Sequence, residues 1–275
     1  MRAYASRAQS MASDRGFALL IVLWTLALLS FVVMQMVAAA RSEGQIAINL
    51  RTNMAQESNA DGAIYAAAFH LLDSADQRWV PGGGTHVLSV PGGKVLVQVT
   101  DESNKVNLNT ASPDLIRAVL LGVGVDPETA GDLAGAIVGW RDSQGPLASA
   151  AKAAQYRAAG LPYLPPAKPF RSVDELSFVV GMTPGIVTRL RPHLTLYTSY
   201  GPDQTSTDPV VRDAIILLRK QGGVLPFVGG AIQERVVQVI AIAEGANGAD
   251  FTRRAILRVD PGSKNAPYAI LAWES

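Results

Sequence analysis

The chain has 275 residues with 24 Lys and Arg against 23 Asp and Glu, no cysteine, 48% hydrophobic and 17% charged residues. The net charge of +1 excludes binding to nucleic acid or to an anionic membrane surface by bulk electrostatics. The lack of cysteine excludes disulfides, a thiolate nucleophile and cysteine-ligated zinc. The composition fits neither a fully disordered chain nor a polytopic membrane protein, so we expect one anchor and a folded body.

An unbroken apolar run from Phe17 to Ala40 follows a short basic leader. The leader carries Arg2, Arg7 and Arg15, whereas Arg41 alone follows the run directly. At about 1.5 Å per helical residue the run is roughly 36 Å long, enough to cross a hydrocarbon core of about 30 Å. The positive-inside rule then predicts a single pass with the N-terminus in the cytoplasm and the remaining chain exported.

Two other interpretations of this run stay open. Ala38-Ala39-Ala40 offers the small residues of a signal-peptide cleavage site, although the run far exceeds the usual core of about 7–15 residues. A plain signal anchor would have the same length and composition. The residues at the start of the run favour a third interpretation over these two.

The junction Gly16-Phe17, a glycine ending a basic leader before an apolar helix, resembles the signal of type IV pilins and type II secretion pseudopilins. The resemblance implies that a prepilin peptidase cuts after Gly16 and methylates Phe17. Pilins usually carry glutamate at the fifth mature position, which is Ile21 here. A carboxylate in a membrane helix costs about 2.5–3.5 kcal/mol on insertion scales, so its usual presence implies a function. Its absence implies that this subunit lacks the contact with a neighbour's terminal amine, as in one minor pseudopilin, protein K.

From Ser42 to about Asp73 apolar residues recur at helical spacing: Leu50, Met54, Ile64, Ala68, Leu71 and Leu72. The pattern predicts that the membrane helix continues as an amphipathic helix whose apolar stripe packs on a sheet. Pro81-Gly82-Gly83-Gly84 ends this helix. The segments His86–Val90 and Lys94–Thr100 then predict a β-hairpin around a Pro-Gly-Gly turn.

Residues 101–198 predict short helices in two helix-hairpin-helix units, with turns at Gly122-Val123-Gly124 and Gly181. Such units typically bind DNA without sequence preference, so DNA binding is the main rival function. The stretch carries nine basic and nine acidic residues, whereas phosphate binding normally rests on a basic excess. We therefore expect a packed scaffold and no nucleic-acid partner.

The C-terminal part returns to strands. Asp208-Pro209 predicts the start of a helix that runs to Gln221. The segments Val236–Glu244, Phe251–Val259 and Tyr268–Trp273 then predict an antiparallel meander, because they are bounded by turns and rich in β-branched residues. Together with the first hairpin they would form one sheet against the N-terminal helix, which makes the helical stretch an insertion.

The whole layout is similar to that of general secretion pathway protein K. Besides Gly16-Phe17 and Ile21, the residues that carry the likeness are Asn107-Leu108-Asn109-Thr110-Ala111, Trp140-Arg141-Asp142, Phe170 to Leu176, Gly181-Met182-Thr183-Pro184 and Pro267 to Leu271. The expected fold is α+β, with a pilin-like N-terminal helix on an antiparallel sheet and a large inserted helical domain. The expected segments are a leader (1–16), the membrane half of the helix (17–40), its amphipathic half (41–80), the sheet (81–100 and 231–275) and the insertion (101–230).

The resemblance also implies a function. Protein K is a minor pseudopilin at the tip of the type II secretion pseudopilus, where it joins minor pseudopilins I and J and supports export of folded proteins across the outer membrane. The other implied partners are the major pseudopilin, the prepilin peptidase and further components of the secretion system. The implied location is the inner membrane, with the body in the periplasm.

No catalytic site is predicted. His70, His86 and His193 lie far apart without an acid at useful spacing, and we expect His86 to be an isolated surface residue. An anchored periplasmic hydrolase is the alternative enzyme. The family also implies calcium near the insertion, but calcium takes about six to eight oxygen ligands and the loop after Arg141 offers one acid, Asp142. Calcium at Asp142 is therefore the one cofactor considered.

Processing at Gly16-Phe17 can be tested on the protein isolated from membranes. We expect the intact mass and the N-terminal sequence to show a methylated start at Phe17, and only in cells that contain the prepilin peptidase. A start at Met1, or after Ala40, in both strains would contradict the pseudopilin interpretation of the junction.

Overall fold

The computed structural model describes residues 10–73, 78–142, 146–199, 201–202, 204–223, 235–245, 248, 250–263 and 265–274. The chain divides into two compact units, Met1–Gln56 and Glu57–Ser275. The helices are α1 Ser10–Leu72, α2 Pro113–Gly122, α3 Pro127–Arg141, α4 Pro146–Ala158, α5 Pro184–Leu190 and α6 Pro209–Lys220. The strands are β1 Thr85–Val90, β2 Gly93–Asp101, β3 Val106–Asn107, β4 Leu194–Thr195, β5 Arg235–Gly245, β6 Asp250–Val259 and β7 Tyr268–Glu274.

Four helices begin with the same local device, a capping side chain followed by proline. The caps are Ser112, Asp126, Thr183 and Asp208, and each side chain accepts a hydrogen bond from a backbone N–H of the first turn. Proline at the next position lacks an N–H and has a φ that suits a helix, so it loses nothing there. The sequence therefore determines where α2, α3, α5 and α6 start.

The sheet contains five antiparallel strands in the order β1-β2-β5-β6-β7. Strand β2 pairs with β5 over its whole length, from Gly93 opposite Gly245 to Asp101 opposite Val237, although residues 102–234 separate the two strands in the chain. The helical stretch thus leaves the sheet at the end of β2 and returns at the start of β5. The expected α+β fold with an inserted helical region is confirmed.

One face of the sheet packs on the C-terminal part of α1. The helix contributes mainly alanines, and their short side chains allow its backbone to lie close to the strands. The buried residues are Ala60, Ala63, Ile64, Ala67, Ala68 and Leu71 from α1, Val95, Val97 and Val99 from β2, and Val237, Val239, Ala241, Ala243, Ala255, Leu257 and Val259 from β5 and β6. Burial at every second strand position gives this sheet one apolar face.

The helical region has an apolar core of its own. It is built from both helix-hairpin-helix units and from α6, and its largest fully buried side chains include Leu108, Leu115, Leu120, Leu133, Ile137, Leu176, Leu190, Ile215 and Leu218. The two hairpins therefore bury their apolar sides in one another and in α6. Glycine at the turn of each hairpin has positive φ, +82° at Gly124 and +80° at Gly181, which side chains other than glycine rarely adopt.

Four details differ from the sequence-based expectations. Leu50 and Met54 are 58% and 62% exposed, so the expected buried stripe was wrong there, and the buried face starts at Ala60. The first arm of the second hairpin, Val173–Phe178, is a 3₁₀ helix. Pro146–Ala158, a stretch between the two hairpins for which no element was predicted, is a helix. The pairing of β3 with β4, a parallel pair of two residues each, was not expected, because strands this short leave no periodicity in a sequence.

Arg253 links α1 to the apolar face of the sheet. Its side chain is 7% exposed, and it donates from Nε to Asp61 Oδ1 at 2.6 Å and from Nη2 to Glu57 Oε1 at 2.7 Å. Its guanidinium lies 5.0 Å from the ring centroid of Phe251 and 5.3 Å from that of Trp273. Burial alone would lower the pKa of Arg253, but the two carboxylates outweigh it and raise the pKa. The charge is thus held against an otherwise apolar sheet.

We expect Arg253→Ala to destabilise the protein by about 1–3 kcal/mol, because the substitution removes two charge-assisted hydrogen bonds that have one end buried. Denaturant unfolding of the full chain in an uncharged detergent would measure the change. Arg235→Ala, at an exposed position on β5, is the matched control and should stay within about 0.5 kcal/mol of wild type. Equal effects of the two substitutions would show that the link contributes no stability.

Candidate functional site

The N-terminal unit exposes an apolar helix surface. Within the described residues, one helix is long and apolar enough to cross a membrane, with a span of Phe17–Leu72 and a mean hydropathy of 2.7 in its most apolar window. Phe17, Ile21 and Trp24 are 68%, 49% and 72% exposed. Length and composition therefore fit a membrane anchor, although a signal sequence passes the same test.

Gly16 and Phe17 both lie within α1, whereas residues 1–9 of the expected leader lie outside the described residues. The cleavage site, the methylated residue and the role of Ile21 stay predictions, because they concern processing and assembly. What the structure adds is that the side chains of Phe17 and Ile21 are exposed on α1.

A second exposed surface lies on the part of α1 that belongs to the folded unit. Tyr65 and Phe69, four residues apart, are 51% and 67% exposed on the side of the helix away from the sheet core. The ring of Trp273 on β7 lies 6.0 Å from that of Tyr65 and is itself partly exposed. We call Tyr65, Phe69 and Trp273 the aromatic patch. Large exposed aromatic side chains that lie together are typical of protein interfaces.

The motif residues of the helical region meet in one polar junction. Asn107 donates from Nδ2 to Thr198 O at 2.5 Å, and its Oδ1 accepts from Asn109 N at 2.7 Å. Asn109 binds both backbone groups of Phe170, accepting from its N–H at 2.7 Å and donating to its carbonyl at 3.0 Å. The bond from Asn107 joins the start of residues 101–198 to their end, and Asn109 joins the same start to the segment before the second hairpin.

Arg141 completes this junction from α3. Its side chain is 9% exposed and donates to the carbonyls of Leu108 and Ala111, the latter at 2.7 Å. Trp140 donates to Glu175 Oε2 at 3.4 Å, and the other oxygen of that carboxylate accepts from Arg171 N at 3.1 Å. Three of the motifs that carried the family resemblance, residues 107–111, 140–142 and 170–176, therefore contact one another through hydrogen bonds.

The histidines are not isolated as the sequence suggested. Trp79 stacks on both His70 and His86, with ring centroids 4.6 Å and 3.9 Å apart. Burial, and then the charge of His70, lower the pKa of His86. The expectation that His86 is an isolated surface residue was wrong. Trp79, in the segment between α1 and β1, stacks on His86, and the sequence analysis did not consider this contact.

His193 also has an acid partner that the sequence analysis missed. Its Nδ1 lies 2.6 Å from Asp208 Oδ2, while Asp208 Oδ1 accepts from the backbone N–H groups of Val210 and Val211. The carboxylate is thus occupied as the cap of α6, and the pair fixes that helix to the end of the second hairpin. The spacing of fifteen residues through a polar linker gave no local signal of this contact.

Asp142, the candidate calcium ligand, lies 48% exposed with its Oδ1 3.4 Å from Arg141 Nε. Residues 143–145 of its loop lie outside the described residues. Across the part of the chain that the structure describes, no group of three or more His, Cys, Asp or Glu could hold a metal ion. Calcium at Asp142 stays a prediction that would need backbone carbonyls for most of its ligands.

Comparisons with known proteins agree with this arrangement. Residues 95–199 match the family described as type II secretion system (T2SS), protein K. The fold is similar to that of a chain in the crystal structure of the GspK–GspI–GspJ complex from the enterotoxigenic Escherichia coli type 2 secretion system, with a TM-score of 0.54 and 16% identity. That similarity covers 86% of this chain and 98% of the other. The comparison with curated proteins gave no match. The resemblance inferred from the sequence is thereby confirmed.

We expect Arg141→Ala to destabilise the helical region by about 2–4 kcal/mol, because two carbonyl groups would lose a charged donor within a mostly buried junction. Hydrogen exchange of the full chain, followed at residues 106–111 and 194–199, would report the loss locally. Arg189→Ala removes an exposed arginine from α5 and serves as the control. Unchanged exchange in the Arg141→Ala protein would contradict a joining role for this side chain.

Proposed function

We propose that this chain, whose residues 95–199 match the family described as type II secretion system protein K, is a minor pseudopilin that works at the tip of the type II secretion pseudopilus. There it would join minor pseudopilins I and J and support export of folded proteins across the outer membrane. The observation that carries the proposal is a protein K domain inserted between the strands of a sheet that packs on an N-terminal helix with an exposed apolar surface.

The helix supports assembly through its two exposed parts. The apolar run after Phe17 suits a membrane, and we propose that its N-terminus lies in the cytoplasm and the folded unit in the periplasm. The aromatic patch in the folded unit suits the helix of another minor pseudopilin. Tyr65 and Phe69 are spaced by about one helical turn, which allows both to contact the same partner helix.

Two features favour the tip over a position along the filament. Ile21 stands where other pilins carry glutamate, so this subunit would lack the carboxylate that pairs with a neighbour's terminal amine. The inserted region adds a folded core that a small filament subunit does not need, and its bulk would obstruct a further subunit. The chain would then begin a filament without extending it.

A structural role also accounts for the polar side chains better than an enzymatic one. Four of these side chains form hydrogen bonds with backbone groups of the chain itself: Asn107, Asn109, Arg141 and Asp208. Calcium at Asp142 would fit the same role as a brace for its loop. The proposed partners beyond I and J are the major pseudopilin, the prepilin peptidase and other components of the secretion system.

The contact with I and J can be tested by disulfide crosslinking, because the chain contains no cysteine of its own. We expect Phe69→Cys to form a disulfide with single cysteines placed along the helix of pseudopilin I or J in membranes. Phe178→Cys is the matched control, since Phe178 is also an exposed phenylalanine, 50% exposed, but lies in the helical region. We expect it to give no such product.

Two outcomes of the crosslinking experiment would contradict the proposal. If neither Phe69→Cys nor Tyr65→Cys reacts with I or J while I and J react with each other, the proposed contact is wrong. If Phe69→Cys reacts instead with the major pseudopilin at many positions, the chain lies along the filament and the tip assignment is wrong.

A further inference from the structure

The outer face of the sheet, opposite α1, forms a cleft with the helical region. The cleft has a volume of about 420 Å³. Its floor is formed by Gln238 of β5, Arg254 and Ile256 of β6, and Glu274 of β7. Its opposite wall comes from the segments 171–174 and 194–197. Both sides belong to the same compact unit, Glu57–Ser275.

Two ion pairs in the cleft are satisfied within the chain. Glu102 is 2% exposed, and its Oε1 lies 2.5 Å from Lys105 Nζ. Arg191 pairs with Asp174, and both side chains are more than half exposed. These four residues therefore shape the rim and the inner end of the cleft without leaving a charge uncompensated.

Two other arginines line the cleft without an ion pair in the described part of the chain. Arg171 and Arg254 are exposed and line the cleft, and within the described residues neither guanidinium has an ion pair. Glu274 stands opposite Arg254 in the β6–β7 register, but the two charged groups form no ion pair within 4 Å in the described part of the chain. The two guanidinium groups thus come from opposite sides of the cleft, and both line it.

The remaining lining suits a peptide. Val173, Leu196 and Ile256 give an apolar surface beside the arginines. Tyr197 also lines the cleft, and burial, followed by the charges of Glu274 and Glu102, raises the pKa of its phenol. The hydroxyl therefore stays protonated at neutral pH and remains a hydrogen-bond donor.

We propose that this cleft binds a carboxylate-bearing segment of a partner protein, held by Arg171 and Arg254. Four basic and three acidic side chains line the cleft, so one carboxylate balances their charge. An arginine fork matches the geometry of a carboxylate, to which it donates two parallel hydrogen bonds. The cleft would thus give the helical region a second contact, separate from the aromatic patch on α1.

A phosphate group fits the cleft less well. It carries about −1.5 to −2 charges at neutral pH, which exceeds the single positive charge in excess. The carboxylates of Glu102, Asp174 and Glu274 in the same cleft would repel the surplus charge. Charge balance therefore favours an acidic peptide over a phosphorylated lipid or free phosphate.

The test measures binding of a peptide that carries one glutamate between glycines, an amidated C-terminus and an uncharged fluorophore at its N-terminus, to the full chain in an uncharged detergent, by fluorescence anisotropy. We expect Arg254→Gln and Arg171→Gln each to raise the dissociation constant about tenfold or more, the usual loss for a hydrogen bond between charged groups. Arg235→Gln removes the same charge from β5 outside the cleft and should leave binding unchanged. Unfolding curves would confirm that all three variants are folded.

Three outcomes would overturn the proposal. No saturable binding would show that the cleft takes no carboxylate peptide, and an equal loss in Arg235→Gln would show attraction by net charge alone. Displacement of the peptide by inorganic phosphate at equal or lower concentration would assign the cleft to phosphate. Because the isolated chain is used, none of these results depends on the crosslinks to pseudopilins I and J.

Discussion

The structure depends on the pairing of β2 with β5. These strands form one continuous antiparallel ladder from Gly93 to Asp101, yet the whole helical region lies between them in the chain. The ladder therefore holds the two ends of the insertion side by side, as the β3–β4 pair and the Asn107–Thr198 hydrogen bond do within the insertion itself. With its ends fixed, the insertion can form a separate core without disturbing the packing of α1 on the sheet.

This arrangement gives the protein two exposed surfaces of different chemistry. One face of the sheet is covered by the alanine-rich side of α1 and is tied to it by Arg253. The other side of that helix carries exposed aromatic residues, and the other face of the sheet opens into the charged cleft. A subunit with two chemically different surfaces can contact two partners at once, which suits the position proposed for this chain at the tip of the pseudopilus.

Many elements of the fold can be predicted from short segments of the sequence. The cap and proline at Asp208-Pro209 predicted the start of α6, and segments rich in β-branched residues between turns predicted the strands β5, β6 and β7. Other features were invisible because they join distant residues. Trp79 between two histidines, His193 with Asp208, and Arg253 with two acids of α1 all depend on how the elements pack, and none leaves a period in the sequence.

The sequence by itself determined the apolar run after Phe17, the helix starts, the strand segments and the resemblance to protein K, since apolar runs, caps and motifs act over a few residues. Only the tertiary structure decided where along α1 the buried side begins, how the motifs of Asn109 and Arg141 contact one another, and that Arg171 and Arg254 line one cleft. The physical reason is that burial and charge pairing are properties of neighbours in space. Arg171 lies within the long insertion and Arg254 lies on β6 beyond it, and the fold brings both side chains to the same cleft.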